Sequence, residues 1–448
     1  MKYSLLFALT MVLALGTLRQ ANGGPSKADI KLERWALPNG LQVIFVPHHR
    51  IPIASVQVWY HVGSKNERRG IRGVAHMFEH MMFKGSRRVR PEAHAELLSA
   101  LGGSVNAFTT QDVTAYHNTL PKQYFKLALQ LEAERMRSLM ISNKMLKSER
   151  EVVKEEKRQR MENDPIGRAF EAIHELAYKK HPYAWTPAGD IGDLDRSKLE
   201  TYQRFYERYY QPNNATLVVA GDLKRGEVQK AVKHFFGGLS GGPKTPGVSI
   251  VEPPQKKQRL LRADWNSQLN VVLGVYHIPS ARSPDISALR VLSTILSAGR
   301  SSRLHRAMVR KQKIALGAGG FTRQLEHPGL FFVYAVGLPQ HNVDTLNTAL
   351  LAEIEKVREK GVTQKELSKA KNQLATSHLR GLATVEGIAY QVGQAALVRG
   401  NPMAFINDAL ALDKVTNADI KRVAARYLSP TNLSLVLVPA GKSKGGAK

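Results

Sequence analysis

The chain has 448 residues, 43% hydrophobic and 23% charged, which excludes a disordered chain and suggests two or more domains. Lysine and arginine number 65 against 37 acids, a formal net charge of +28. This balance attracts polyanions or anionic surfaces, but the charges are scattered, with no aromatic-interleaved basic stripe, zinc finger or RNA-recognition signature, so specific nucleic-acid binding is not indicated. Cysteine is absent, which excludes thiolate metal sites and cysteine nucleophiles.

Lys2, the apolar run from Leu5 to Leu15 and the small-residue piece Ala21-Asn22-Gly23 predict a signal peptide over 1–23, too short to span a bilayer comfortably. The mature chain is then exported, periplasmic or extracellular, with no later membrane helix. Strands are expected at 41–47 and 53–62, then an apolar helix at about 74–84 behind Gly70 and Gly73. Pro91 opens a helix that Gly102-Gly103 closes, and 104–120 alternates like a strand pair. Helices follow at 122–138, 142–162, 166–179 and 195–210, then a buried strand before Asp222. The Gly/Pro/Ser/Lys-rich stretch 237–258 reads as a linker. Beyond it come a strand at 268–277, helices at 284–298 and 303–312, a strand at 329–337, and helices at 343–359 and 364–380. The end, YLSPTNLSLVLVPAG from Tyr427, echoes YYQPNNATLVVAGDL from Tyr209. Two similar domains are therefore expected, 30–236 and 259–441, joined by the linker 237–258 and followed by a basic tail, 442–448.

The sharpest chemical signal is His76-Met77-Phe78-Glu79-His80. On a helix, residues four apart lie on one face, so two imidazoles can chelate one cation while Glu79 stays on the face of His76. Zinc held this way brings its water toward neutrality, and a neighbouring carboxylate takes the proton as water attacks a carbonyl. Two histidines and a glutamate among Val74, Met77, Phe78, Met81, Met82 and Phe83 are costly without partners. A third ligand is required. The acidic stretch 149–156 offers Glu149 and Glu156 on one helix face, whereas Glu155 points about 100° away. His94, His117, His174, His277 and His305 have no ligand-spaced companion and read as ordinary surface or core residues.

These residues resemble the pitrilysin, insulysin and mitochondrial-processing-peptidase family of inverted-motif zinc peptidases, over nearly the whole mature chain. That family carries HxxEH and a glutamate ligand about 76 residues beyond the second histidine, which falls on Glu156, and a supporting glutamate seven residues earlier, which falls on Glu149. Asn106-Ala107-Phe108-Thr109 with Asp112 and Tyr116, His181-Pro182-Tyr183 and Pro212-Asn213-Asn214 are further similar pieces. The resemblance implies an α+β fold of two homologous α/β-roll domains, each an antiparallel-rich sheet packed by helices. It implies one Zn2+ per chain on His76, His80 and Glu156, with Glu79 as general base, hydrolysing peptides or small unfolded proteins. The strand with Asn106, Ala107 and Phe108 is then expected to pair with substrate backbone. Active relatives also carry an Arg/Tyr pair seven apart, like RxKxGLAY, that holds substrate. Here the Arg position is Arg310, but the Tyr position is Gly317. The resemblance therefore implies the zinc-bearing partner of a heterodimer whose second subunit supplies the pair; a pair of identical copies is the alternative assembly. Two other readings are a non-catalytic scaffold subunit of the same family and a basic polyanion-binding surface protein.

Overall fold

The computed structural model describes residues 30–441, so the signal segment 1–23 and the tail 442–448 lie outside the described residues. The first half runs β1 (Glu33–Ala36), β2 (Gln42–Pro47), β3 (Ile53–Tyr60), α1 (Val74–Met81), α2 (Ala93–Ala100), β4 (Ser104–Thr109) and β5 (Thr114–Pro121). It continues through α3 (Phe125–Ser138), α4 (Asn143–Lys157), α5 (Pro165–Ala177), α6 (Ile191–Arg196), α7 (Leu199–Tyr209), β6 (Ala215–Gly221) and α8 (Arg225–Phe236). Residues 240–256 carry no regular element. The second half runs β7 (Arg259–Arg262), β8 (Asn270–His277), α9 (Asp285–Ser297), β9 (Gly317–Arg323), β10 (Leu330–Gly337) and α10 (Val343–Lys360). Then come α11 (Gln364–Gly381), α12 (Val385–Arg399), α13 (Ala404–Lys414), α14 (Asn417–Tyr427) and β11 (Leu433–Val438).

The strand order is β1-β2-β6-β3-β5-β4 in one sheet and β7-β11-β8-β10-β9 in the other. Set β1 aside and the two orders match place for place. Each contains one parallel pair, β2 with β6 and β7 with β11, and the remaining matched pairs are antiparallel. The fold is thus α+β with two copies of one antiparallel-rich unit. The sequence echo has a physical basis. The Asn214 side chain donates to Tyr209 O at 2.8 Å and His61 O at 3.4 Å. Asn432 donates to Tyr427 O at 2.7 Å and His277 O at 2.9 Å. In both halves an asparagine amide ties the helix before the last strand to the end of the central strand, satisfying carbonyls that helix and strand leave open.

The central strands are buried on both faces because each sheet is covered on both sides. One face of the first sheet packs α1, α3, α7 and α8. Its other face takes α12 from the second half, with Ile388, Ala389 and Val392 against Ile44, Trp59 and Val218. Reciprocally, α5 of the first half lays Ala169, Ile173 and Ala177 on Val271, Val275, Phe332 and Val436 of the second sheet. The connecting segment is also held down: the Glu252 carboxylate accepts the backbone N–H groups of Lys179, Lys180 and His181 at 2.8–3.0 Å.

The expected elements from 41 to 210 and from 268 to 380 are present with ends moved by a few residues. The structure adds β1, α6, α8, β7, β9 and α12 to α14. Strand β9 escaped notice because Gly317, Gly319 and Gly320 erase its alternation. A Cβ at Gly320 would stand 2.2 Å from Phe332 O, so close strand packing demands the missing side chain. Helix α12 lies between the first sheet and its own half, and so lacks a clean polar stripe.

Candidate metal centre

Helix α1 turns its apolar residues inward: Val74, Ala75, Met77, Phe78 and Met81 are fully buried. That leaves His76, Glu79 and His80 on the outer face. Its N-cap, Gly73, sits at φ +96° and has no side chain to cap with. The buried Glu67 carboxylate does that work, accepting Gly73 N–H at 2.9 Å and Ala75 N–H at 2.8 Å. Gly73 also touches the turn at Gly189, where an added Cβ would lie 2.3 Å from Gly73 Cα. Helix rotation, and hence the aim of both imidazoles, is set by these contacts.

Helix α4 starts at Ser142, whose hydroxyl accepts Met145 N–H at 3.4 Å, and packs against α1. Glu156, near its C-terminal end, stands with Oε2 3.9 Å from His76 Nε2 and 3.4 Å from His80 Nε2. Ligand atoms of His76, His80 and Glu156 all lie within 4.8 Å of one another, the one such group of histidine and acid side chains among the described residues. Two turns earlier Glu149, 4% exposed, lies behind His80, with Oε2 3.8 Å from Nδ1, while Lys84 Nζ holds its other oxygen at 3.1 Å. Arg160, in the π-helical turn Arg158–Glu162, binds Glu156 Oε1 at 2.5 Å. That leaves Oε2 for the imidazoles.

The electrostatics suit a divalent cation. Burial, His80 and Arg160 push the His76 imidazole down to about 4, so a nitrogen lone pair is free at neutral pH. The His80 ring, with His76 and Arg160, holds the Glu156 carboxyl at about 2 against its partial burial. Two imidazole nitrogens and one anionic oxygen form a donor set that zinc accepts. The Glu79 carboxyl is pushed above its ordinary range by burial, opposed by the hydroxyl and N–H of Thr109. Thr109 ends β4, so the strand read as substrate-binding runs beside the candidate base.

Strand β4 pairs only with β5, leaving one edge open. Val105 and Ala107 face the α1 side. Phe108 points to the opposite face, edge-on to Trp59 with ring centres 5.4 Å apart and near Tyr390 of α12 at 5.5 Å. Its side chain is therefore packed away from the histidines. The Asn106 amide oxygen accepts Ala107 N–H at 2.8 Å, so the chain's own side chain occupies that donor. Arg310 stands exposed in the second half and makes no hydrogen bond or ion pair to these residues in the described structure. Gly317 opens β9, and nothing lies within 4 Å of where its Cβ would be.

Asp112 and Tyr183 belong to a buried junction between the halves. Asp112 accepts from Tyr183, from Lys65 at 3.1 Å and from Glu326 N–H at 2.8 Å, and Lys65 also pairs with Glu326. Neither Glu67 nor Lys65 was singled out in the sequence. A helix opening on a bare glycine was the available signal that its first N–H groups take an acceptor from elsewhere.

Comparison with known proteins places this geometry in context. The family described as insulinase (peptidase family M16) matches residues 42–189, and the peptidase M16 inactive domain matches residues 198–374. The zinc protease PqqE of Helicobacter pylori is 33% identical over 91% of this chain and 93% of its own. A probable mitochondrial-processing peptidase subunit beta of Arabidopsis thaliana is 26% identical over 89% of this chain and 76% of its own. The crystal structure of a protease from Helicobacter pylori superposes with a TM-score of 0.88 at 31% identity, covering 91% of this chain and 99% of that one.

Proposed function

Because the chain belongs to the insulinase family of peptidases, M16, we propose that it is a zinc-dependent endopeptidase working through His76, Glu79, His80 and Glu156. One observation carries this reading: two imidazoles from α1 meet a single carboxylate oxygen from α4, at 3.9 and 3.4 Å. His76, His80 and Glu156 hold one Zn2+, with Glu149 and Lys84 keeping His80 and its surroundings in place. When bound, that ion would supply Lewis acidity to the attacking water and the scissile carbonyl. Glu79 takes the water's proton at its carboxylate and returns it to the leaving nitrogen. Its burial suits the task, since raised basicity improves proton capture near neutral pH.

An extended peptide adds to the open edge of β4. A substrate carbonyl replaces the Asn106 amide oxygen on Ala107 N–H, while Phe108 contributes backbone rather than ring. Substrates are peptides or small unfolded proteins, with the basic surface favouring acidic ones. Lys2 and the apolar run before Ala21 support export of the mature protein. No described helix is long and apolar enough to cross a membrane. The domains act as 30–236, which carries the metal, and 259–441, which does not. With Gly317 at the Tyr position, the chain works with a homologous subunit that supplies the Arg/Tyr pair, beside its own Arg310. Nothing lies within 4 Å of where a Cβ at Gly317 would stand, so packing does not exclude a side chain there.

Glu79→Gln tests the reading. The variant is expected to keep its zinc and lose at least about a hundredfold in peptide hydrolysis. Wild-type rates in that variant would remove Glu79 from the mechanism.

A further inference from the structure

The second half contains a polar cavity of about 270 Å³ among α9, α11, α12, α13 and the end of β9, apart from the metal centre. Arg290 of α9 and Arg399 of α12 line it and share one acid, Asp408 of α13. Arg290 reaches Asp408 at 3.3 Å, and Arg399 binds both Asp408 and, at 3.4 Å, Ala404 O. Among the described residues the two guanidiniums make no other side-chain hydrogen bond, so several N–H donors are left over. Gln391 and the exposed Gln394 of α12 add amides that make no side-chain hydrogen bond among the described residues. His378 of α11 is the remaining titratable group on the wall; burial and Arg290 push it down, so it adds no charge at neutral pH.

Two cations against one anion leave an uncompensated positive charge in a partly enclosed space, with planar donor forks beside neutral amides. Forked guanidinium donors match a carboxylate's two oxygens. A net charge of one unit suits a singly charged ion better than phosphate. We propose that this cavity binds a small molecule bearing one carboxylate, of amino-acid or dipeptide size, through Arg290 and the Gln391–Gln394 face of α12. The site does not depend on the zinc reading, since none of its residues is in that centre.

The test is calorimetric titration of the full chain at constant ionic strength with four probes: acetate, dialanine, dialanine C-terminal amide and inorganic phosphate. Dialanine is expected to bind and its amide to bind at least about tenfold more weakly, since charge-assisted hydrogen bonds are lost. Arg290→Gln leaves Asp408 paired with Arg399, so the fold is kept; it is expected to weaken dialanine about tenfold or more while peptide hydrolysis is unchanged. Gln394→Met leaves both ion pairs intact and is expected to weaken binding to a smaller degree. Equal affinity for acid and amide, or unchanged binding in both variants, would overturn the proposal. So would tighter binding of phosphate than of dialanine, or no heat with any probe, the result expected of a cavity that holds water only.

Discussion

Asp193 pins the loop that leads into α1. Its Oδ2 accepts Gly70 N–H at 2.9 Å and Arg72 Nε at 2.6 Å, and Arg196 binds the other oxygen at 2.7 Å. Burial pushes its carboxyl up, but Arg72 and the Gly70 N–H outweigh that and hold it at about 2. A carboxyl depressed from an unfolded value near 3.8 stabilises the fold above that pH, and the contribution fades as pH falls toward 2. Asp193→Asn is therefore expected to cost about 2 kcal/mol at pH 7, and less at pH 3. Denaturant unfolding at the two pH values measures this; a gap that does not narrow would mean the ionised form is not what matters. At this scale the sequence was informative only where chemistry repeats locally. His76, Glu79 and His80 announce themselves because helical spacing puts them on one face. Spacing along α4 left Glu149 and Glu156 equally eligible; the resemblance chose Glu156, and the crossing of two helices turns Glu156 toward both rings and leaves Glu149 behind His80. Glu67 and Asp193 were invisible, since both hold backbone N–H groups of a glycine-rich loop, and Asp193 lies more than 120 residues from its Gly70 and Arg72 partners.

Helices α5 and α12 join the halves by packing on each other's sheets. In α12 the close contact is Gly393, where an added Cβ would stand 2.3 Å from the ring of Trp59. That ring is fully buried and its Nε1 donates to Gln57 at 3.0 Å, so it has little room to move. Gly393→Ala is expected to destabilise the protein by about 1–3 kcal/mol through overpacking. A thermal melt would show it, and an unchanged melting temperature would mean α12 shifts freely. Strong amphipathic periodicity made α4, α5 and α7 readable. Helix α12, covered on both sides, and β9, stripped by glycines, carry no such period.

For the whole molecule, the exchange means that neither half can bury its sheet alone. Without α12, the Ile44, Trp59 and Val218 face of the first sheet is bare, and without α5 so is the Val271, Phe332 and Val436 face of the second. Cleavage within 243–249 is expected to leave the two fragments associated on size exclusion, and the isolated first fragment is expected to aggregate. Fragments that separate and stay folded would contradict this. The doubling itself was legible from the Tyr…Pro…Asn echo, because Asn214 and Asn432 do the same work in each half. The exchange was not, since it joins segments roughly 90 or more residues apart.

The central claim is that His76, His80 and Glu156 grip one ion. Elemental analysis of purified wild type and Glu156→Ala tests it most directly. The account predicts one zinc per wild-type chain and its loss from the variant after mild chelation, with the fold unchanged by circular dichroism. A wild-type chain that takes up no zinc, or a variant that holds it as tightly, would contradict it.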